Sequence, residues 1–363
     1  MNQPLSLTPP RGDTAGDGDA PAKTLRCGTV GVGRMGRHHA RIYGRLPGAK
    51  LVGVVDSNFD RAEAIAEEHG GTAYATEQEL LEAGVDAVTI AVPTTYHLKA
   101  ARPFLEAGVA CLIEKPLAPT AAEAEQIKQI AEAHGTVLMV GHIERFNPAI
   151  RAMRAATETG EPIVPRFIEV HRVSPMTFRS VDIGVVMDMM IHDLDVVLWL
   201  MGGRMPDEIA AAGVAVVTPH EDVCNARLTW RKSAASPACV ANISASRLAL
   251  KTERVTRITG ENAYVKIDYA ARTGTMIRRI ANEVQMREVT EQLRQGKDLT
   301  SLNWNELVNI DPLVIDETDP LTFELSEFLA AARTGARPPI DASAGLVNVR
   351  TAEAIVQAIK ELM

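Results

Sequence analysis

Gly31-Val32-Gly33-Arg34-Met35-Gly36 decides the fold, because it follows an apolar run from Arg26 to Val30 and opens a helical pattern. A G-x-G-x-x-G loop between strand and helix is the turn that a βαβ nucleotide-binding unit needs. Gly31 permits the tight turn, Gly33 lets a pyrophosphate approach the backbone, and Gly36 packs helix against strand at the positive helix end. With Arg34 and Met35 completing the loop, these five residues are candidate dinucleotide contacts. The motif alone is a weak signal, and a glycine-rich turn without a ligand is the competing reading. Val54-Val55-Asp56 strengthens it. Twenty residues past Gly36, Asp56 ends a second apolar run with the carboxylate expected on the ribose hydroxyls. A carboxylate there repels a 2′-phosphate, and Ser57-Asn58 brings no adjacent arginine, so NAD is expected over NADP. Arg61, further along the next helix, could reach across, although a solvated face is its plainer reading.

Outward from this loop, short apolar runs alternate with helical patterns. Strands are predicted at Arg26 to Val30, Leu51 to Val55, Ala87 to Val92, Ala110 to Ile113 and Val137 to Val140. Helices are predicted to begin near Arg34, Asp60, Glu77, His97 and Ala121. This is the pattern of a doubly wound parallel sheet, a Rossmann domain over residues 25–145. After that the pattern changes. Asn147-Pro148 reads as the cap and first position of a helix ending by Gly160, followed by a strand from Ile163 to Val173 and an apolar helix from about Val185 to Met201. The segments Ile209 to Val217, Val223 to Trp230, Ala238 to Ser246, Arg254 to Ile258 and Ala263 to Ile267 lack long intervening helices. They predict a second α+β domain, residues 146–363, built on a large, mostly antiparallel open sheet. Helices over Asp319 to Thr334 and Ala342 to Met363 are expected to return to the core. The fold class is therefore α/β in the N-terminal half and α+β in the C-terminal half.

A chain of 363 residues, 46% hydrophobic and 4% aromatic, has room for two such domains. Residues 1–24, rich in Pro, Gly, Asp and Thr, read as a disordered tail without the apolar core of a signal peptide. No apolar run approaches membrane-spanning length, so a soluble protein is expected. The net charge of −8 argues against nucleic acid and anionic membranes as partners, and an anionic substrate would need local arginine or lysine. Cys27, Cys111, Cys224 and Cys239 form no C-x-x-C pair and read as reduced thiols of a cytosolic protein.

Two segments carry chemistry. Glu114-Lys115-Pro116 follows the strand Ala110 to Ile113 and so lies at the carboxyl edge of the sheet, where ligands bind in doubly wound folds. Lys115 can hydrogen-bond a hydroxyl or ketone oxygen there, and Pro116 permits a cis peptide. On the apolar helix, Asp188, His192 and Asp195 share one stripe, and a carboxylate one turn from an imidazole can orient it and raise its basicity. A core histidine and a metal site are the competing readings. No H-E-x-x-H or thiolate cluster completes a metal site, so no metal is expected.

GVGRMGRHHA at Gly31 to Ala40, Asp56, AVPTTYH at Ala91 to His97, EKP at Glu114 to Pro116 and D-x-x-x-H at Asp188 to His192 together resemble the Gfo/Idh/MocA oxidoreductase family. The resemblance runs from about Arg26 to the end of the chain. It implies that Lys115 and His192 line the active site beside the nicotinamide with Asp188 as partner. Pro93, Thr94, His97 and Glu114 would then stand on the cofactor side. It also implies a homo-dimer or tetramer formed through the second domain. GHIERFNPAI (Gly141 to Ile150), HRVSP (His171 to Pro175) and the helix motif are similar to the subgroup that oxidises UDP-N-acetylglucosamine at carbon 3 before amination for lipid A. A UDP-linked sugar would make Arg145, Asn147, Arg172 and Arg179 candidate substrate contacts, the arginines meeting the diphosphate. Local salt bridges are the competing reading for those arginines. Asp193 departs from the commoner family pattern, in which the residue after the histidine is apolar or aromatic. An inositol or free-sugar dehydrogenase, and a non-catalytic NAD-binding regulator, are the alternative functions.

Overall fold

The computed structural model describes residues 23–158, 162–178, 182–234, 236–298 and 302–362. Most of the expected N-terminal tail therefore lies outside the described residues, as does Gly160. The first half contains β1 (Leu25–Val30), α1 (Gly36–Tyr43), β2 (Ala49–Val55), α2 (Phe59–His69), β3 (Thr72–Tyr74), α3 (Glu77–Glu82) and β4 (Ala87–Ile90). It continues with α4 (His97–Glu106), β5 (Ala110–Glu114), α5 (Ala121–Ala133) and β6 (Leu138–Gly141). The strands form one parallel sheet in the order β3-β2-β1-β4-β5-β6. Strands β4, β5 and β6 are buried along their whole length, as expected of a sheet covered on both faces. Asn58, Thr76 and Thr120 each accept a backbone N–H at the start of α2, α3 and α5, which is why those helices begin where they do.

The second half contains α6 (Pro148–Glu158), β7 (Pro165–Val173), a π-helical turn (Val186–Met190) leading into α7 (Ile191–Leu200), β8 (Glu208–Val214), β9 (Val223–Trp230) and β10 (Cys239–Ser246). After these come β11 (Glu253–Gly260), β12 (Ala263–Asp268), β13 (Thr273–Arg279), α8 (Glu283–Arg294), β14 (Val308–Pro312), α9 (Pro320–Thr334) and α10 (Ala342–Leu362). Eight strands form one sheet in the order β14-β13-β12-β11-β7-β10-β9-β8, antiparallel except where β7 runs parallel to β10. Burial alternates residue by residue along β10, so one face packs inward while the other stays more open.

Among the described residues two large hydrophobic cores result, beside a small cluster of Ala281, Leu307 and Val308. The first joins the parallel sheet to Leu325, Phe328 and Leu329 of α9 and to Leu346 and Val349 of α10. The second packs Leu194 and Val197 of α7 against the inner face of the large sheet, with Ala352, Ile355 and Ile359 of α10. Helix α10 thus contributes one end to each core. The four cysteines are buried and unpaired.

Candidate active site

The order of the parallel sheet reverses between β1 and β4, and the loop after β1 opens at that switch point. Gly31 adopts φ +83°, and a Cβ on it would come within 2.8 Å of the Ala91 carbonyl oxygen. A Cβ on Gly36 would stand 1.7 Å from the Gly31 carbonyl oxygen, so neither position accepts a side chain. At Gly33, by contrast, a Cβ would meet nothing within 4 Å, and the backbone faces open space. The first turn of α1 carries no acidic residue and has no side-chain cap, while Arg34 is exposed beside it. A positive helix end beside an approachable glycine backbone fits a dinucleotide pyrophosphate.

Asp56 is buried at the end of β2. Its carboxylate accepts the Val32 N–H and the Asn58 N–H, each at 2.9 Å, and so fastens the glycine loop. Arg61 is more than a solvated face residue: its guanidinium, half exposed, lies 3.5 Å from the same carboxylate. Pro93 is exposed and Thr94 half-buried, at the mouth of the β4–α4 connection. His97 corrects its expectation. It is buried, with Nδ1 3.2 Å from the Leu117 carbonyl and Nε2 3.0 Å from the Val92 carbonyl, so it ties two loops together instead of facing a cofactor. Glu114 is likewise turned inward, accepting from His39 Nε2 at 3.0 Å and from the Lys115 N–H at 3.2 Å. Burial pushes its carboxyl up, but the hydrogen bond and charge of His39, with Lys115, outweigh this and hold it below its ordinary value.

The Lys115–Pro116 peptide is cis. Lys115 Nζ donates to the Asp188 backbone carbonyl at 3.2 Å, joining β5 of the first domain to the π-helical turn of the second. Burial depresses its ammonium below the ordinary value; Asp188 and Glu114 oppose the shift, while Arg172 and Arg34 add to it. His192 stands on the first turn of α7, and its buried Nδ1 has no hydrogen-bond partner among the described residues. Burial, then Lys115, Arg172, His142 and Arg254, hold the imidazole well below its ordinary value, so the ring is neutral at pH 7. The expected Asp188–His192 pair is corrected. The π-helical turn interrupts the α spacing between them, no hydrogen bond joins them, and Asp188 acts on Lys115 instead.

Three other site expectations change with the geometry. Arg145, on the short turn Ile143–Phe146, makes two 2.6 Å bonds to the carboxylate of Asp195. Arg172, its side chain 4% exposed, bonds Asp193 at 2.5 and 3.0 Å and Glu144 at 3.0 Å. Both guanidinium groups therefore fasten α7 to neighbouring elements, as the competing salt-bridge reading had it, and Asp193 finds its role as the buried counter-charge of Arg172. Asn147 caps α6, its Oδ1 accepting the Ala149 N–H at 3.0 Å, and so is a structural residue. Arg179 lies outside the described residues.

The sequence reading passed over four neighbours of this centre. His142, directly after β6, is buried 4.0 Å from Asp195, with no hydrogen bond to either ring nitrogen among the described residues. His39 partners Glu114, and Glu324 of α9 is fully buried with both carboxyl oxygens unpartnered among the described residues. Arg254 of β11 is half exposed and close enough to His192 to depress it. The available signal was polarity out of place, a His and a Glu flanking apolar positions in Gly141 to Phe146 and a Glu on the apolar stripe of α9.

Known proteins agree with this architecture. The description "Oxidoreductase family, NAD-binding Rossmann fold" matches residues 25–142, and "Oxidoreductase family, C-terminal alpha/beta domain" matches residues 177–363. UDP-N-acetylglucosamine 3-dehydrogenase of Acidithiobacillus ferrooxidans is 39% identical over 249 residues, 69% of this chain and 75% of that protein. A solved structure of the enzyme of that name and organism superposes with a TM-score of 0.79 at 33% identity, covering 93% of this chain and 98% of the other. The scyllo-inositol 2-dehydrogenase (NAD(+)) of Bacillus subtilis is 34% identical over 192 residues, 50% of this chain and 55% of that protein. With both domains matched and the glycine loop, Lys115 and His192 in place, the chain belongs to the Gfo/Idh/MocA oxidoreductase family, as an NAD-binding dehydrogenase acting on CH–OH groups.

Proposed function

We propose that this enzyme oxidises a hydroxyl of a nucleotide-linked sugar to a ketone, with UDP-N-acetylglucosamine oxidised at carbon 3 as the substrate. The observation that carries the substrate is the likeness to the Acidithiobacillus ferrooxidans enzyme, which extends over 98% of that structure and includes both domains. Bound NAD supplies the hydride acceptor. The residues of the chain manage the oxygen and its proton. Lys115 Nζ, reaching across from β5, hydrogen-bonds the substrate oxygen, and the neutral ring of His192 takes the hydroxyl proton as the C–H hydride departs. In the reverse direction the same two groups polarise the ketone and return the proton. The buried pairs Arg145–Asp195 and Arg172–Asp193 hold α7, and with it His192, against the turn Ile143–Phe146 and against β7. The more open face of the eight-stranded sheet is the surface assigned to a homo-dimer or tetramer.

A panel of nucleotide sugars, free sugars and inositols, incubated with enzyme and NAD, tests the reading. Ketone formation is trapped with hydroxylamine and the product identified by mass. UDP-N-acetylglucosamine is expected to turn over and free N-acetylglucosamine to react poorly, because diphosphate contacts supply binding energy that positions the sugar. Faster turnover of an inositol or free sugar than of every nucleotide sugar would replace this substrate with a polyol, the reading that the scyllo-inositol relative favours.

A further inference from the structure

Strands β7 and β11 run antiparallel, and Arg254 stands directly opposite Arg172. Side chains alternate along a strand, so Arg172 shares the face of buried Ile168 and Val170, and Arg254 shares that of buried Thr256 and Ile258. Both guanidinium groups thus lie on the inner face, the one covered by the helix that carries His192. Like charges directly opposite each other are unfavourable unless each finds a counter-charge. Arg172 takes nearly all of it. It holds both oxygens of Asp193 and bonds Glu144 at 3.0 Å, whereas Arg254 reaches only that same Glu144 oxygen, at 3.9 Å. No hydrogen bond reaches the Arg254 guanidinium among the described residues. The two differ in exposure as well, with side chains 4% exposed at Arg172 and 47% at Arg254. The outcome is one arginine locked as scaffold and a second, beside His192, presenting a planar fork of donors with little to neutralise it.

We propose that Arg254 binds the diphosphate of the substrate and determines the preference for nucleotide-linked over free sugars, the role that the sequence suggested for Arg145 and Arg172. The inference rests on the nucleotide-sugar reading above. Its chemistry is a bidentate, charge-assisted pair between guanidinium and phosphate oxygens, which a neutral polyol cannot make. Arg254 hands over no proton itself, and its charge is the least of the named influences that keep His192 neutral. Removing it should therefore weaken binding and leave the chemical step nearly unchanged.

The test uses the NAD-saturated enzyme and three substitutions, Arg254→Gln, Arg254→Lys and Arg257→Ala, the last on the opposite face of the same strand. UDP affinity is measured by titration, and KM and kcat with UDP-N-acetylglucosamine. Arg254→Gln is expected to weaken UDP and raise KM by about tenfold to a hundredfold, the range of a lost charged hydrogen bond, with kcat within about twofold. Arg254→Lys should recover part of the loss, Arg257→Ala should show none, and NAD affinity should stay constant throughout, which also reports an intact fold. Unchanged UDP affinity in Arg254→Gln overturns the assignment while leaving the nucleotide-sugar reading standing. A parallel loss of NAD affinity in a variant whose Tm is unchanged overturns it too, by giving Arg254 to the cofactor. A wild-type enzyme that binds neither UDP nor UDP-N-acetylglucosamine removes the substrate reading itself, and this inference with it.

Discussion

Lys115 and His192 come from different domains, and burial moves the titration of both. A buried lysine whose ammonium is depressed, in hydrogen-bond contact with the Asp188 carbonyl, stands closer to neutrality than a surface lysine and exchanges a proton more readily. A histidine held neutral by burial and four nearby cationic or imidazole groups accepts a proton when a substrate hydroxyl supplies one. Both Lys115→Ala and His192→Asn are therefore expected to lower kcat/KM by on the order of 10²-fold or more, while NAD affinity stays within about twofold. For oxidation by the wild type, kcat/KM should rise as His192 loses its proton, below its ordinary 6.5, and fall as Lys115 loses the ammonium that hydrogen-bonds the substrate oxygen, below its ordinary 10.5. A folded His192→Asn enzyme with full turnover would return this histidine to the core. Removal of Asp188 distinguishes the two pairings, because Asp188→Asn should shift the Lys115 limb of the profile and leave His192 untouched.

At the level of elements, residues with a strong local signal were readable, while those set by tertiary context were not. Helices α2, α3, α4 and α5 begin within one residue of expectation; Asn58, Thr76 and Thr120 cap three of them, and a 3-10 turn over Thr94–Tyr96 leads into the fourth. Strand β3, only three residues long and directly after Gly70-Gly71, is too short to show a period. Strand β14 escaped because an edge strand buries little, four of its five residues being exposed, and β13 beside it fully buries only Met276. Helix α8 carries a capping box between Asn282 and Gln285 that went unread. The same division runs through the site. Gly31, Gly36 and Lys115 follow from motif and edge position, but the partners of Asp188, Arg145, Arg172 and His97 depend on which elements meet, and the π-helical turn is invisible to a 3.6-residue count. Asp56 combines both kinds. Its position was legible, its bond to the Val32 N–H was not, and that bond makes it an anchor of the glycine loop. Asp56→Ala should weaken NAD by about tenfold and narrow its margin over NADP, since the 2′-phosphate loses its repulsion and Arg61, 3.5 Å away, loses its carboxylate. Titration of both cofactors reads the ratio. An unchanged preference would remove Asp56 from cofactor selection.

Across the whole molecule, the last two helices fasten the halves together, and their one buried anomaly connects stability to pH. Helix α9 packs Leu325, Phe328 and Leu329 into the core of the parallel sheet, with Glu324 buried among them. The charged and titratable groups facing Glu324 are Glu114 from β5, Asp195 from α7 and Tyr43 from α1. Neither carboxyl oxygen has a partner among the described residues. Burial first, then the two carboxylates, push Glu324 well above its ordinary value of 4.5, so the folded protein holds this proton to a higher pH than the unfolded chain does. The sign follows from linkage. The unfolded chain releases this proton near pH 4.5 and the folded chain holds it to a higher pH, so the folded state is progressively disfavoured as pH rises through that interval. Glu324→Gln, neutral at every pH, removes this contribution without changing side-chain size. Its Tm should match that of the wild type below pH 4.5 and exceed it by a margin that grows as the pH rises above that value, which thermal denaturation at a series of pH values measures directly. A constant offset across the series would mean that Glu324 does not titrate differently in the folded and unfolded states. A falling offset would place an unrecognised cation beside it.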